Sequence, residues 1–202
     1  VLMDEQVGSA AVTPDGSRAV LYTTVGGVER VVLVDLVGVT APQPVRLRKS
    51  VRAVAIAPDS KTALLIHDKK PGDPNDATID VDERIDRSFG FTALDLGTGF
   101  AKLQTTAADP GPLAITPDSA FAFVLLRDDG AGLRVAQRID LRGFFVQDFA
   151  LGSPPVAVGT LAGSMRVFVS QNHPEGRISF IDWMSGKMDS VTGFELNGRI
   201  VE

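Results

Sequence analysis

Apolar positions along this chain fall in short alternating runs rather than in helical stripes. Arg177-Ile178-Ser179-Phe180-Ile181-Asp182 alternates with period two, and Arg30-Val31-Val32-Leu33-Val34-Asp35 is a denser β-branched run. Both patterns predict strands, whose successive side chains point to opposite faces. The longest apolar run, Ala120 to Leu126, is seven residues long, whereas a membrane-spanning helix needs about 20. No stretch shows a sustained helical period with caps, so the chain reads as all-β without a helix.

The runs recur. Ala11-Val12-Thr13-Pro14-Asp15-Gly16, Ala55-Ile56-Ala57-Pro58-Asp59-Ser60 and Ala114-Ile115-Thr116-Pro117-Asp118-Ser119 read alike, and each leads into an apolar run that starts at Ala19, Ala63 or Ala122. A decayed fourth copy runs from Val156 to Val169, and aligning Gly163-Ser164 with Gly16-Ser17 places Leu161 where Pro14 stands. The spacings are then 44, 59 and 44 residues. An aspartate closes the third run of every copy, at Asp35, Asp95, Asp140 and Asp182. It lies late only in copy two, which places an insertion at about residues 69–88. Pro-Asp-Gly or Pro-Asp-Ser between apolar runs is a turn: proline presets φ, aspartate bonds its own backbone and glycine accepts positive φ.

Four strands per copy are expected, in copy one at roughly 8–13, 18–24, 29–36 and 45–48. Four short antiparallel strands at a fixed period predict a β-propeller of about four blades. A β-sandwich gives no reason for the period. The blades are expected at residues 1–50, 51–108 with the insertion, 109–152 and 153–202. The innermost strands would include Val54-Ala55-Ile56 and Leu113-Ala114-Ile115, which are small and apolar.

These copies resemble the YVTN-type repeats of bacterial and archaeal surface-layer-like propellers. The matching stretches are Pro112 through Ser119, Thr13 through Ser17, and Ile178 through Lys187, with its strand, aspartate and small-Gly-Lys turn. TolB-like propellers share the Pro-Asp-Gly turn and are the second family the repeat fits. The ending of a WD-type repeat is absent, because Asp182-Trp183 has the reverse order. The resemblance implies a fold and no common catalytic residue. Such propellers usually close with about seven blades, so four blades point to part of a larger ring, a small ring closed alone or a ring completed by a second copy. A chain that begins at Val1, with no signal-peptide pattern, is expected to be processed or part of a longer protein.

Composition narrows function mainly by exclusion. There are no cysteines, which removes disulfides, zinc thiolates and thiol catalysis. The net charge of −5 lacks the basic excess of a nucleic-acid binder. The insertion carries Asp73, Asn75, Asp76, Asp80 and Asp82, oxygen donors of the type calcium takes. The EF-hand pattern fails at Ala77, while Arg84 and Arg87 offset the charge, so a solvated or partner-binding loop is expected, more mobile than the blades. Arg46, Arg48, Lys49 and Arg52 form a basic run, with Arg46 and Arg48 on one face of a strand. They are candidates for an anion or acidic partner, or for charges that protect an outer edge. His67 and His173 are expected at a strand end and in a surface loop, with no triad or nucleophile elbow around them. Phe144, Phe145 and Phe149 are expected to pack between blades.

No catalytic, cofactor-binding or metal-binding residue is therefore assigned, and no cofactor is expected. Three functions remain open. The first is a non-catalytic scaffold whose loops bind a protein or polysaccharide, or the remainder of its own propeller. The second is part of a propeller hydrolase or lyase whose catalytic groups lie outside this chain. The third is a structural cell-envelope piece, with an extracellular, periplasmic or envelope location as the expectation. Asn197-Gly198 predicts a hairpin that folds residues 199–201 back on the preceding strand.

Overall fold

The computed structural model describes residues 8–127 and 132–193. The expected hairpin at Asn197-Gly198 lies outside them. Among the described residues sixteen strands fall into four antiparallel four-stranded sheets, each drawn from consecutive sequence. The first holds β1 (Ser9–Val12), β2 (Arg18–Tyr22), β3 (Arg30–Asp35) and β4 (Gln43–Arg46). The second holds β5 (Val51–Ile56), β6 (Thr62–His67), β7 (Phe89–Asp95) and β8 (Ala101–Thr106), with a helix α1 (Val81–Arg87) between β6 and β7. β9 (Asp109–Ile115), β10 (Phe121–Arg127), β11 (Val135–Asp140) and β12 (Val146–Ala150) form the third. β13 (Pro155–Thr160), β14 (Arg166–Gln171), β15 (Arg177–Asp182) and β16 (Met188–Thr192) form the fourth. This is an all-β propeller fold of about four blades. The chain divides into two compact units, Val1–Pro110 and Gly111–Glu202.

The first turn of each blade repeats one hydrogen-bond pattern. The amides of Thr13, Ala57 and Thr116 donate to the carbonyls of Arg18, Thr62 and Phe121, each at 2.8–2.9 Å. Three residues on, Gly16, Ser60 and Ser119 donate back to the same three turn openers and take φ of 70°, 62° and 55°. The Pro-Asp dipeptides thus occupy equivalent turns. In blade four Leu161 donates to Arg166 and accepts from Ser164, so Leu161 matches Thr13 rather than Pro14, one residue from the alignment read in the sequence. The cause is a shift of the positive φ to Gly163 (71°), one position earlier in the turn.

The closing aspartates have a matching task. Asp35, Asp95, Asp140 and Asp182 each accept, through Oδ1, from the amides two and three residues ahead, at 2.7–3.1 Å. The Gly38 amide, the Thr40 hydroxyl and the Val37 amide hold the Asp35 carboxyl below its usual range. At Asp95 desolvation pushes upward, but the bonds from Thr98 and Gly97 win and the net shift is downward. This side-chain turn explains why one residue type recurs at four equivalent places.

Each unit has its own core. In the first, Val20, Val31 and Leu33 of blade one pack on Ala63, Leu65 and Leu94 of blade two. The Arg18 guanidinium crosses between these blades to the Leu96 carbonyl. In the second, Phe123, Leu125 and Phe149 of blade three pack on Val167, Val169 and Ile181 of blade four. Here Arg138 is the tie. It donates to the Trp183 carbonyl at 2.6 Å and to Gln147 Oε1 at 2.6 Å, while its guanidinium lies 4.8 Å from the Phe121 ring.

Two expectations need correction. Phe149 is buried, with its ring 6.3 Å from that of Phe123, but Phe145 is 71% exposed and Phe144 is half-buried at a positive-φ turn position. The three aromatics therefore do not act together in packing. The insertion also contains α1, where no helix was expected. Asp80 caps it by accepting from the Glu83 amide at 2.8 Å, the acids Asp82 and Glu83 fill its first turn, and Ser88 closes its last.

Candidate functional site

The basic run and the acidic insertion, two separate features of the sequence, meet in the first unit. From Val45 to Lys49 burial alternates: Val45, Leu47 and Lys49 point inward, Arg46 and Arg48 outward. The alternation continues past β4 because the Leu47 amide still pairs with the Glu29 carbonyl at 2.8 Å. A lysine therefore falls on the buried side. Lys49 is 3% exposed, and its ammonium donates to the Ile85 and Asp86 carbonyls, both at 2.8 Å, at the C-terminal end of α1. Burial pushes its pKa down, and the Asp86 carboxylate opposes that. A cation on the last carbonyls of a helix is in its favourable place.

Further bonds hold the insertion to the blade. Arg48 pairs with Asp82, and Lys70 pairs with Asp86 at 2.7 Å, a contact that raises the Lys70 pKa. The Lys70 amide also donates to the Asp86 carbonyl at 2.8 Å. Inside the insertion Arg87 reaches Glu83, while Asp73 and Asp76 accept from the Asn75 and Thr78 amides. The acidic residues thus have separate tasks as caps, turn formers and ion-pair partners. Among the described residues no three His, Cys, Asp or Glu side chains gather for a metal. Arg52 turns elsewhere, to Asp109 Oδ1 at 2.7 Å and the Pro110 carbonyl at 3.0 Å.

Beside this anchor lies an open groove of about 610 Å³, lined by Gly27, Val28, Glu29, Arg30, Arg46, Leu47 and Arg48. A smaller cavity of about 110 Å³ adjoins it through Gly27 and Glu29 and reaches Lys49, Lys69 and Asp86. In the groove Arg30 and Arg46 stand directly opposite each other on β3 and β4, and both are exposed. Their positions concentrate positive charge on this stretch of the sheet. Guanidinium forks match carboxylates in two-point geometry, so the groove is suited to carboxylate-bearing ligands. Val28 and Leu47 supply its apolar part, and no aromatic ring is among the described residues that line it.

The histidines stand at a strand end and in a loop, as expected, and His67 is in addition fully buried. Its Nδ1 faces the Ser50 carbonyl at 3.0 Å and its Nε2 the Thr92 hydroxyl at 2.7 Å. A carbonyl only accepts, so Nδ1 carries the proton and Nε2 accepts from Thr92. Desolvation lowers the pKa to about 4, keeping the ring neutral near pH 7. His173 lies in the β14–β15 loop, where its Nδ1 accepts from the Glu175 amide at 3.2 Å. The two rings belong to different blades and serve local structure.

No family model matches the sequence, and no curated protein sequence matches it either. Solved structures do. Hydrazine synthase from Kuenenia stuttgartiensis is 16% identical, over 95% of this chain and 53% of its own, with a TM-score of 0.57. AztD from Citrobacter koseri, in its apo form, is 14% identical over 91% of this chain and 46% of its own, with a TM-score of 0.58. U3-55K is 10% identical over 96% of this chain and 54% of its own, with a TM-score of 0.53. These chains have propeller-like folds, and at such identities the likeness carries the fold alone. The chain spans about half the length of each.

Proposed function

We propose that this chain is a non-catalytic propeller scaffold that binds an acidic protein segment in the groove along β3 and β4, beside the insertion. The observation that carries the reading is the exposed pair Arg30 and Arg46, directly opposite each other on β3 and β4, whose guanidinium forks suit the two-point geometry of a carboxylate. The insertion supports it as a neighbouring segment held in place, since Lys49 and Arg48 tie it to the blade and Lys70 pairs with Asp86 within it. A loop so held keeps little entropy to lose on binding. A protein partner is favoured over a polysaccharide because the described lining residues are arginines, a glutamate, glycines and aliphatics rather than aromatic rings on which a sugar stacks. The Pro-Asp turns and the strand-Asp-turn units support a YVTN-type affiliation within the propellers, and with it a cell-envelope location.

The test is calorimetric titration with a glutamate-rich peptide and, separately, with polygalacturonate. Binding of the peptide that weakens at least tenfold in Arg46→Glu and falls with added salt is the expected result. Binding of the polysaccharide alone would transfer the site to that class. Peptide affinity unchanged by Arg46→Glu would remove the groove from the account.

A further inference from the structure

The ladder that sets Arg30 opposite Arg46 also decides which backbone groups of β4 are left over. β4 comes last in its sheet, so among the described residues only β3 pairs with it. In an antiparallel pair, residues bonded to the neighbouring strand alternate with residues whose N–H and C=O point away from it. The Leu47 amide donates to the Glu29 carbonyl at 2.8 Å, which sets the parity. The backbones of Gln43, Val45 and Leu47 thus face β3, while those of Pro44, Arg46 and Arg48 turn to the open edge. Pro44 agrees, since it stands opposite Val32 and has no N–H to give to β3. The edge therefore offers the carbonyls of Pro44 and Arg46 and the amides of Arg46 and Arg48.

The same parity sorts the side chains. Arg46 and Arg48 are exposed on one side of the strand, whereas Val45 and Leu47 are buried on the other. Arg30 stands beside Arg46 on the arginine side. Arg48 engages Asp82 through one terminal nitrogen, and its guanidinium has further N–H groups. Edge strands are commonly guarded by charge against chance pairing. The guard differs between blades: β12 carries Asp148 and β16 carries Asp189, but β4 carries arginine and no acid. A guard of one sign admits a strand of the opposite sign. The edge belongs to blade one alone, and a blade stacked on either of its faces meets side chains rather than this backbone.

We infer that the acidic segment binds as an extended strand added antiparallel to the open edge of β4, with an acidic side chain at every second position. This mode rests on the groove being the site proposed above. The ligand residue opposite Arg46 exchanges both backbone bonds with it, and the residues two to either side bond the Arg48 amide and the Pro44 carbonyl. Side chains directly opposite share one side of the sheet, so the ligand residues opposite Arg46 and Arg48 carry the carboxylates. The residues between them point to the other side, and their amides face solvent. Backbone bonds then give affinity and the alternating acids give specificity. The ligand class is an acid-x-acid sequence in extended form, not an acidic helix, whose neighbouring acids lie three or four residues apart.

The probes are a peptide of alternating threonine and glutamate and two versions of it, N-methylated on the glutamates or on the threonines, titrated calorimetrically into the 202-residue chain. Methylation on the glutamates, whose amides face β4, should weaken binding at least tenfold. Methylation on the threonines, whose amides face solvent, should leave it within a few-fold of the parent. Hydrogen exchange at the Arg46 and Arg48 amides should slow at least tenfold on saturation with the parent peptide, whereas Val45 and Leu47, already bonded to β3, keep their rates. Binding that is lost in Arg46→Glu but indifferent to which residues are methylated, with no new protection at Arg46, would overturn the added strand and leave the groove site standing. No binding of the parent peptide at millimolar concentration would overturn both.

Discussion

Buried neutral His67 makes stability depend on pH in a direction the structure fixes. Its pKa lies at about 4 in the fold against 6.5 when exposed. Between those values the unfolded chain takes up a proton that the folded chain refuses. Stability from this residue is therefore fully present above pH 6.5 and is lost as pH falls toward 4. A shift of about 2.5 units corresponds to roughly 3 kcal/mol in total, of which about 2 kcal/mol is gone by pH 5. Asp15 adds a loss of the same sign at lower pH. The Ser17 amide, the Thr13 hydroxyl and the Ser17 hydroxyl lower its pKa to about 2. The control is His67→Gln, which keeps hydrogen-bonding capacity and does not titrate. Urea unfolding of both proteins at steps from pH 7.5 to 4.5 isolates the histidine as the difference in slope. The native protein should lose about 2 kcal/mol more than the variant between pH 7 and pH 5. Parallel curves, or a His67 ring titrating near 6.5 by NMR, would refute the burial argument.

Three further substitutions probe other parts of the fold. Lys49→Met removes both bonds to the end of α1, and should cost about 1–3 kcal/mol and speed hydrogen exchange in residues 70–88 while β5–β8 stay protected. Uniform loss of protection would make the insertion part of the blade core. Gly90→Ala places a Cβ 2.5 Å from the Gln104 carbonyl oxygen and 3.3 Å from Thr105 Cα, inside the β7–β8 pair; an overpacking loss of about 1–3 kcal/mol is expected in thermal unfolding, and a neutral result would mean that the strands separate freely. Arg138→Ala breaks the tie between blades three and four, and should lower stability by about 1–3 kcal/mol, with a change in Trp183 emission that a purely local effect at β11 would not give.

What the sequence revealed and what it hid follows from the range of the interactions. Pro14-Asp15, Pro58-Asp59 and Pro117-Asp118 announced their turns because the bonds that make a turn lie within six residues. Asp35, Asp95, Asp140 and Asp182 were visible as a repeat for the same reason. The helix α1 escaped a search for helical period because seven residues make only two turns; Asp80-Val81-Asp82-Glu83, an aspartate cap with glutamate at the third helical position, was its available sign. Leu161 was misaligned by one residue because Gly163 relocates the positive φ inside an otherwise unchanged hydrogen-bond pattern. Lys49 and His67 were not legible as buried. Their partners lie 36 and 37 residues away for the lysine, and 17 and 25 for the histidine. The groove was half visible: Arg46 and Arg48 were in view, but only the register of β3 on β4 brings Arg30 opposite Arg46.

The central claim, a partner site in the Arg30–Arg46 groove, is most directly tested by amide chemical-shift mapping of the labelled chain during titration with a glutamate-rich peptide. The account predicts shifts concentrated at Gly27, Glu29, Arg30, Arg46, Leu47 and Arg48, with smaller ones at Lys49 and Lys69, all abolished in the Arg30→Glu, Arg46→Glu double variant. Shifts centred on other loops, or no shifts at millimolar peptide, would contradict it.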